Sequence, residues 1–147
     1  MFNTVAYFGK IEGDTVDVGG GYNYLPLTGE SPLVLVKEKP DFKDEYIFGF
    51  GELTKINDEW TILSKQVQKN EKHTVDNFLT VKGLISVEPT QLNDNWHYLE
   101  IEEPFPPIIF NSKRNIQAKK GDELVCMGFL KKLENKWYVF SKILEIN

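Results

Sequence analysis

Cysteine is nearly missing. Cys126 is the single one in 147 residues, so no intrachain disulfide can form, and with only His73 and His97 beside it no zinc-ligand spacing exists. Apolar runs are short, none near the roughly 18 residues a membrane-crossing helix needs. Positive charge is not in excess either. Lys and Arg total 17 against 22 Asp and Glu, a formal net charge of -5, which excludes wrapping duplex DNA by bulk charge but leaves room for a local basic patch. The opening Met-Phe-Asn-Thr-Val-Ala-Tyr lacks the basic start and apolar core of a secretory signal, so the expected compartment is cytoplasmic. Helical periodicity is scarce: residues 113–119 could supply a turn or two, yet Ile116 and Ala118 do not keep the i, i+3, i+4 spacing. Ser64 and Ser141 lack a Gly-x-Ser-x-Gly elbow, and no acid pattern accompanies the histidines, so neither an enzyme nor a cofactor is expected.

What the chain does have is apolar content of 41%, aromatic content of 13%, and 11 Gly and 7 Pro scattered along its length. That mix favours a folded chain of short strands and turns. It also repeats. Gly51-Glu-Leu53-Thr-Lys55-Ile-Asn-Asp-Glu-Trp60-Thr-Ile-Leu-Ser64-Lys65 lies without a gap over Gly128-Phe-Leu130-Lys-Lys132-Leu-Glu-Asn-Lys-Trp137-Tyr-Val-Phe-Ser141-Lys142, at an offset of 77, with six of fifteen positions identical. Upstream the echo continues more weakly, Tyr24-Leu-Pro-Leu27 with Tyr98-Leu-Glu-Ile101. The expected organisation is two modules, 1–70 and 76–147, joined by the polar segment 69–74.

Tyr46–Lys55 and Leu124–Lys132 suit a pleated sheet, each followed by a short polar turn and a strand that opens at Trp60 or Trp137, a hairpin in each module. Further strands are expected at Thr4–Ile11, Leu33–Val36, Phe78–Ser86, Trp96–Ile101 and Ile108–Phe110. Five short strands per module predict an all-β chain of two tandem small barrels, which hide their edges. Counting by two puts Ile47, Gly49, Gly51 and Leu53, and likewise Leu124, Cys126, Gly128 and Leu130, on the inward face. Tyr46, Phe48 and Phe50, with Val125, Met127 and Phe129, then form outward apolar rows. Such rows are covered by packing between modules or by a second copy, or they meet a ligand or protein partner.

Three stretches carry a family resemblance. Asn3-Thr-Val5-Ala-Tyr-Phe-Gly9-Lys-Ile11-Glu-Gly-Asp14, Lys120-Gly121-Asp-Glu-Leu124-Val-Cys-Met-Gly128-Phe-Leu130-Lys131 and the pair Trp96-His97 resemble, respectively, the first strand, the fourth strand and a stacking Trp-His pair of the bacterial single-stranded-DNA-binding protein family. The resemblance implies the five-stranded OB barrel in each module. By order, Trp96 belongs here to a second strand, because only 12 residues separate it from Gly83.

Non-specific single-strand binding needs aromatic faces for bases and cations for phosphates. Residues 74–147 have nine Lys and Arg against ten acids and residues 1–73 eight against twelve, so the second module is the expected contact. The candidate nucleic-acid residues are Trp96, Tyr98, Lys113, Arg114, Lys119, Lys120, Phe129, Lys131, Lys132, Lys136 and Tyr138; lysines also decorate ordinary hairpins. Candidate partner contacts are Tyr46, Phe48, Phe50, Val125 and Met127, on the alternative that the chain is an adaptor or inhibitor. Trp60 and Trp137, repeated at fixed spacing, read as packing. The expected ligand is single-stranded nucleic acid, with a homo-oligomer and a protein partner as further options and no membrane.

Overall fold

A computed structural model describes residues 2–71, 77–112 and 116–147, apart from the side chains of Lys142 and Ile143. Every regular element among them is a β-strand, and no helix is long and apolar enough to cross a membrane. The chain divides into two units, one spanning Thr4–Asn77 and the other Phe78–Asn147. Asn3 belongs with the second unit. Its side-chain amide donates to the Lys82 carbonyl at 3.1 Å and accepts from the Lys82 N–H at 3.0 Å.

In the first unit the strands are β1 (Thr4–Lys10), β2 (Val16–Gly19), β3 (Tyr22–Tyr24), β4 (Leu33–Val36), β5 (Tyr46–Ile56) and β6 (Glu59–Lys69). They lie in the order β2-β3-β4-β6-β5-β1. All neighbours are antiparallel except β4 and β6, which run parallel, and Ile11 just beyond β1 bridges Leu27 just beyond β3. In the second unit β7 (Phe78–Leu84), β8 (Thr90–Gln91), β9 (Trp96–Leu99), β10 (Ile108–Asn111), β11 (Glu123–Leu133) and β12 (Lys136–Ile146) follow the same plan. Their order is β7-β11-β12-β10-β9-β8, with β10 parallel to β12 and Ile85 bridging Ile101. The strand-poor stretches of the sequence concealed β2, β3 and β8. Gly19, Gly20 and Gly21, all with positive φ, turn β2 into β3 as a hairpin.

The expected inward faces are the buried ones: Ile47 and Leu124 are fully buried, and Leu53, Cys126 and Leu130 nearly so. Around them pack Val5, Tyr7, Val36 and Ile62 in the first unit, and Val81, Leu99, Ile108 and Val139 in the second. Burying each such side chain contributes about 1.5–3 kcal/mol.

The repeated residues hold this frame. At the register shifts of β5 with β6 and β11 with β12, the Ser64 hydroxyl donates to the Phe50 carbonyl (3.0 Å) and the Ser141 hydroxyl to the Met127 carbonyl (2.6 Å). Each serine satisfies an oxygen that the bulge removes from the ladder. Gly51 has no room for a side chain, since a Cβ would stand 2.5 Å from Ile62 Cγ2 and 2.7 Å from the Leu63 carbonyl oxygen. Leu53 and Leu130 fill the core. Lys55 Nζ lies 5.4 Å from the Trp60 ring centre and Lys132 Nζ 5.8 Å from that of Trp137, so these pairs clasp their hairpins by cation–π contact.

Both hairpin loops have two residues, since β6 opens at Glu59 and β12 at Lys136, one place before the tryptophans. Asn57 and Asp58 (φ 51° and 65°) and Glu134 and Asn135 (φ 50° and 65°) adopt the left-handed pair of a type I′ turn. Glutamate is poorly suited to that conformation. Glu134→Asn, which copies Asn57, is expected to stabilise the chain by about 0.5–1 kcal/mol, read as a higher urea midpoint at unchanged slope.

The cores differ at one place. Tyr7 faces Gly49 across β1 and β5, whereas Val81 faces Cys126 across β7 and β11, so ring volume in one unit is traded for two medium side chains in the other. The Tyr7 hydroxyl donates to Ser64 Oγ at 2.6 Å, and burial pushes its pKa up to about 12. Burial likewise pushes the Cys126 thiol up to about 11. Unfolded tyrosine ionises near 10, so the protection is complete below pH 10 and is lost as pH rises from there to 12. Stability is expected to fall by roughly 2–3 kcal/mol from Tyr7 alone across that window. Alkaline denaturant titrations check this, and Tyr7→Phe should flatten the Tyr7 part of the profile.

Candidate functional site

The second unit's outward face gathers aromatic side chains because neighbouring strands align them in register. Tyr98 on β9 pairs with Ile109 on β10, Ile109 with Phe140 on β12, Phe140 with Phe129 on β11, and Phe129 with Phe78 on β7. One row therefore crosses five strands. Flanking it are Trp96, whose ring meets Phe140 edge-on (6.1 Å between centres, 81°), and Tyr138, which meets the same ring at 6.2 Å and 70°. Trp96, Tyr98, Tyr138 and Phe140 are half-buried, so each ring is held at its sides while presenting surface to solvent. Phe129 is 46% exposed.

The supports of this face are polar and local. The Asn93 side chain accepts from the backbone N–H groups of Asn95 (2.9 Å) and Trp96 (3.0 Å), which fixes the loop that delivers Trp96. The Tyr98 hydroxyl donates to Glu100 Oε1 at 2.6 Å, and burial, then the bond to that carboxylate, then the nearby Glu100 charge raise the phenol well above its ordinary pKa.

Of the lysines named from the sequence, the structure brings only some to this face. Lys131, beside Tyr138 in register and with Nζ 5.8 Å from the Phe129 ring centre, borders it, and Lys136 opens β12 on the same side. Lys132 does not join them. Strand alternation puts it with Trp137 on the opposite face of the hairpin. Lys119 and Lys120 sit at the other end of β11, roughly 30 Å from the hairpin tip at the rise of an 11-residue strand. Their backbone N–H groups donate to Asp122 Oδ2 and Glu88 Oε1. Lys113 and Arg114 lie outside the described residues.

Phe140, Ile109 and Phe78 belong to the row and were not named from the sequence. The available signal for Phe140 was its two-residue spacing from Tyr138; the signal for Ile109 required knowing that β10 runs parallel to β12. His97 faces the core, 4% exposed, and its Nε2 has no hydrogen-bond partner among the described residues, so Trp96 and His97 point to opposite faces. No group of three or more metal-ligating side chains converges among the described residues.

The apolar row of the first unit is present on β5. Phe48 stacks on Phe8 (6.2 Å, 27°) and meets Phe50 edge-on at 6.3 Å, Tyr46 is half-buried, and Phe50 is 60% exposed. On β11, Val125 is half-buried and Met127 is 50% exposed.

Neither a family model nor a curated sequence matches the chain. Among solved structures, the wild-type single-stranded DNA binding protein from Thermus aquaticus is similar with a TM-score of 0.67 at 17% identity, over 99% of this chain and 93% of that one. The chain shares that protein's fold. A deletion mutant of the same Thermus aquaticus protein gives 0.65 at 16% identity, over 99% of this chain and 94% of that one. The likeness bears on architecture, and it meets the resemblance read from Asn3–Asp14 and Lys120–Lys131: the all-β fold is OB-like, as in the Thermus aquaticus protein.

Proposed function

We propose that the chain is a pair of tandem OB barrels that binds single-stranded nucleic acid, DNA in the first instance, without a fixed sequence motif. Bases stack on Trp96, Tyr98, Phe140 and Tyr138 of the second unit, and Lys131 and Lys136 hold phosphates at its hairpin edge. One observation carries the reading. The row Tyr98–Ile109–Phe140–Phe129–Phe78 corresponds, by strand pairing, to Tyr24–Leu35–Leu63–Glu52–Thr4 in the first unit. Both units need the same frame, yet at these five positions the second unit places four rings, Tyr98, Phe140, Phe129 and Phe78, where the first keeps Tyr24 alone. Core packing does not explain half-exposed aromatics, whereas base stacking, worth about 1–3 kcal/mol per base, does.

Fluorescence anisotropy of a labelled single-stranded oligonucleotide at two salt concentrations tests the proposal. Binding that weakens as salt rises is expected; absence of binding at low salt would overturn it. A second reading, that the chain is a protein-binding adaptor, is favoured by the cluster Phe8, Phe48 and Phe50, whose outermost ring is 60% exposed. Its mark would be an association lost in Phe50→Ser with oligonucleotide binding untouched.

A further inference from the structure

We infer that Glu100 makes the second unit's face selective among bases, favouring those that carry an amino group on their pairing edge. This rests on the nucleic-acid reading above and names the ligand class of the same site. Ile108 pairs with both Leu99 and Val139, so one step back along β10 a row runs from Glu100 past Pro107 to Tyr138, and Tyr138 pairs with Lys131. The aromatic surface is thus bounded by a carboxylate on its β9 side and an ammonium on its β11 side. A strand laid on the rings turns its phosphates toward Lys131 and away from Glu100, because the anionic backbone is attracted by one and repelled by the other. Its base edges then face Glu100.

The chemistry of that edge follows from the carboxylate. Glu100 Oε1 accepts from the Tyr98 hydroxyl, and Oε2 makes no hydrogen bond with any described residue. An ionised carboxylate only accepts. Cytosine, adenine and guanine offer amino hydrogens to it, while thymine and uracil offer one ring N–H between two carbonyl oxygens, which the carboxylate repels. In the first unit the corresponding residue is Pro26, two places after Tyr24 as Glu100 is after Tyr98, so the acid occurs only beside the aromatic row.

Equal-length oligo-dC and oligo-dT differ at this edge with similar ring size. At slightly alkaline pH the wild-type chain is expected to bind oligo-dC about tenfold more tightly than oligo-dT. Glu100→Gln, whose amide both donates and accepts, should bring that ratio near one by weakening oligo-dC and strengthening oligo-dT. Tyr98→Phe keeps the carboxylate and should keep the preference. Equal wild-type affinity for the two oligomers would overturn the inference while leaving the nucleic-acid reading intact. So would a Glu100→Gln chain that binds both more tightly by the same factor, since that is repulsion alone. Failure of the wild-type chain to bind either oligomer would overturn the nucleic-acid reading itself.

Discussion

Gly128→Ala is expected to cost the second unit about 3 kcal/mol or more, enough to leave a substantial fraction of a marginally stable chain unfolded. The reason is local. A Cβ at Gly128 would run into the Phe140 carbonyl, a backbone group of the neighbouring strand that cannot rotate away, and would press on Val139 Cγ1 at 3.1 Å. Relief requires β11 and β12 to separate where the Ser141 hydroxyl closes the bulge onto Met127. Separation there also displaces Phe140 from the aromatic row. Cys126, two residues away, reports the opening. In the native chain its thiol is buried, 1% exposed, with its pKa pushed up to about 11, so thiol reagents should react slowly. In Gly128→Ala the reaction should quicken, and the urea midpoint should fall. Gly51→Ala makes the corresponding test in the first unit, where the Ile62 side chain and Leu63 backbone stand in the way.

These glycines show why the fold was more legible than the site. Residues that recur at the offset of 77 are those that any unit of this design needs: a glycine at the strand crossing, a leucine in the core, a lysine over a tryptophan, a serine on the bulge carbonyl. Self-comparison therefore finds the frame. The proposed site is made from positions where the units differ, such as Phe140 against Leu63 and Phe129 against Glu52, and a search for repeats passes over them. Counting by two did separate Phe129 from Leu130. The same alternation sets Lys132 on the face of Trp137 and Phe140 on that of Tyr138 once the register of β11 with β12 is known. Lys119 and Lys120 adjoin β11 in sequence, but an extended strand carries its two ends far apart, so nearness along the chain did not become nearness in space.

Trp96→Ala is expected to lower single-stranded DNA affinity roughly fivefold to 150-fold, from a stacking loss of about 1–3 kcal/mol. The chain has three tryptophans, and they occupy different faces. Trp60 and Trp137 lie under lysine ammonium groups on their hairpins, whereas Trp96 stands against Phe140. Quenching of tryptophan emission on binding should therefore come from Trp96, and Trp96→Phe should abolish most of it while retaining part of the affinity. Trp137→Ala should cost stability with little change in affinity, because its ring is turned away from the row. Charge and stacking separate in the salt dependence. Trp96→Ala leaves the slope of log affinity against log salt unchanged, since no phosphate contact is lost. Lys131→Gln with Lys136→Gln should reduce that slope by about 1.4, for two contacts on a single strand. Phe140→Ala sits between these cases: its ring touches both Trp96 and Tyr138, so its loss loosens two stacking surfaces at once. Combined with Trp96→Ala it should cost less than the two single changes added, because each already removes the same ring-to-ring contact. Strict additivity would mean that the rings act as separate contacts rather than as one surface.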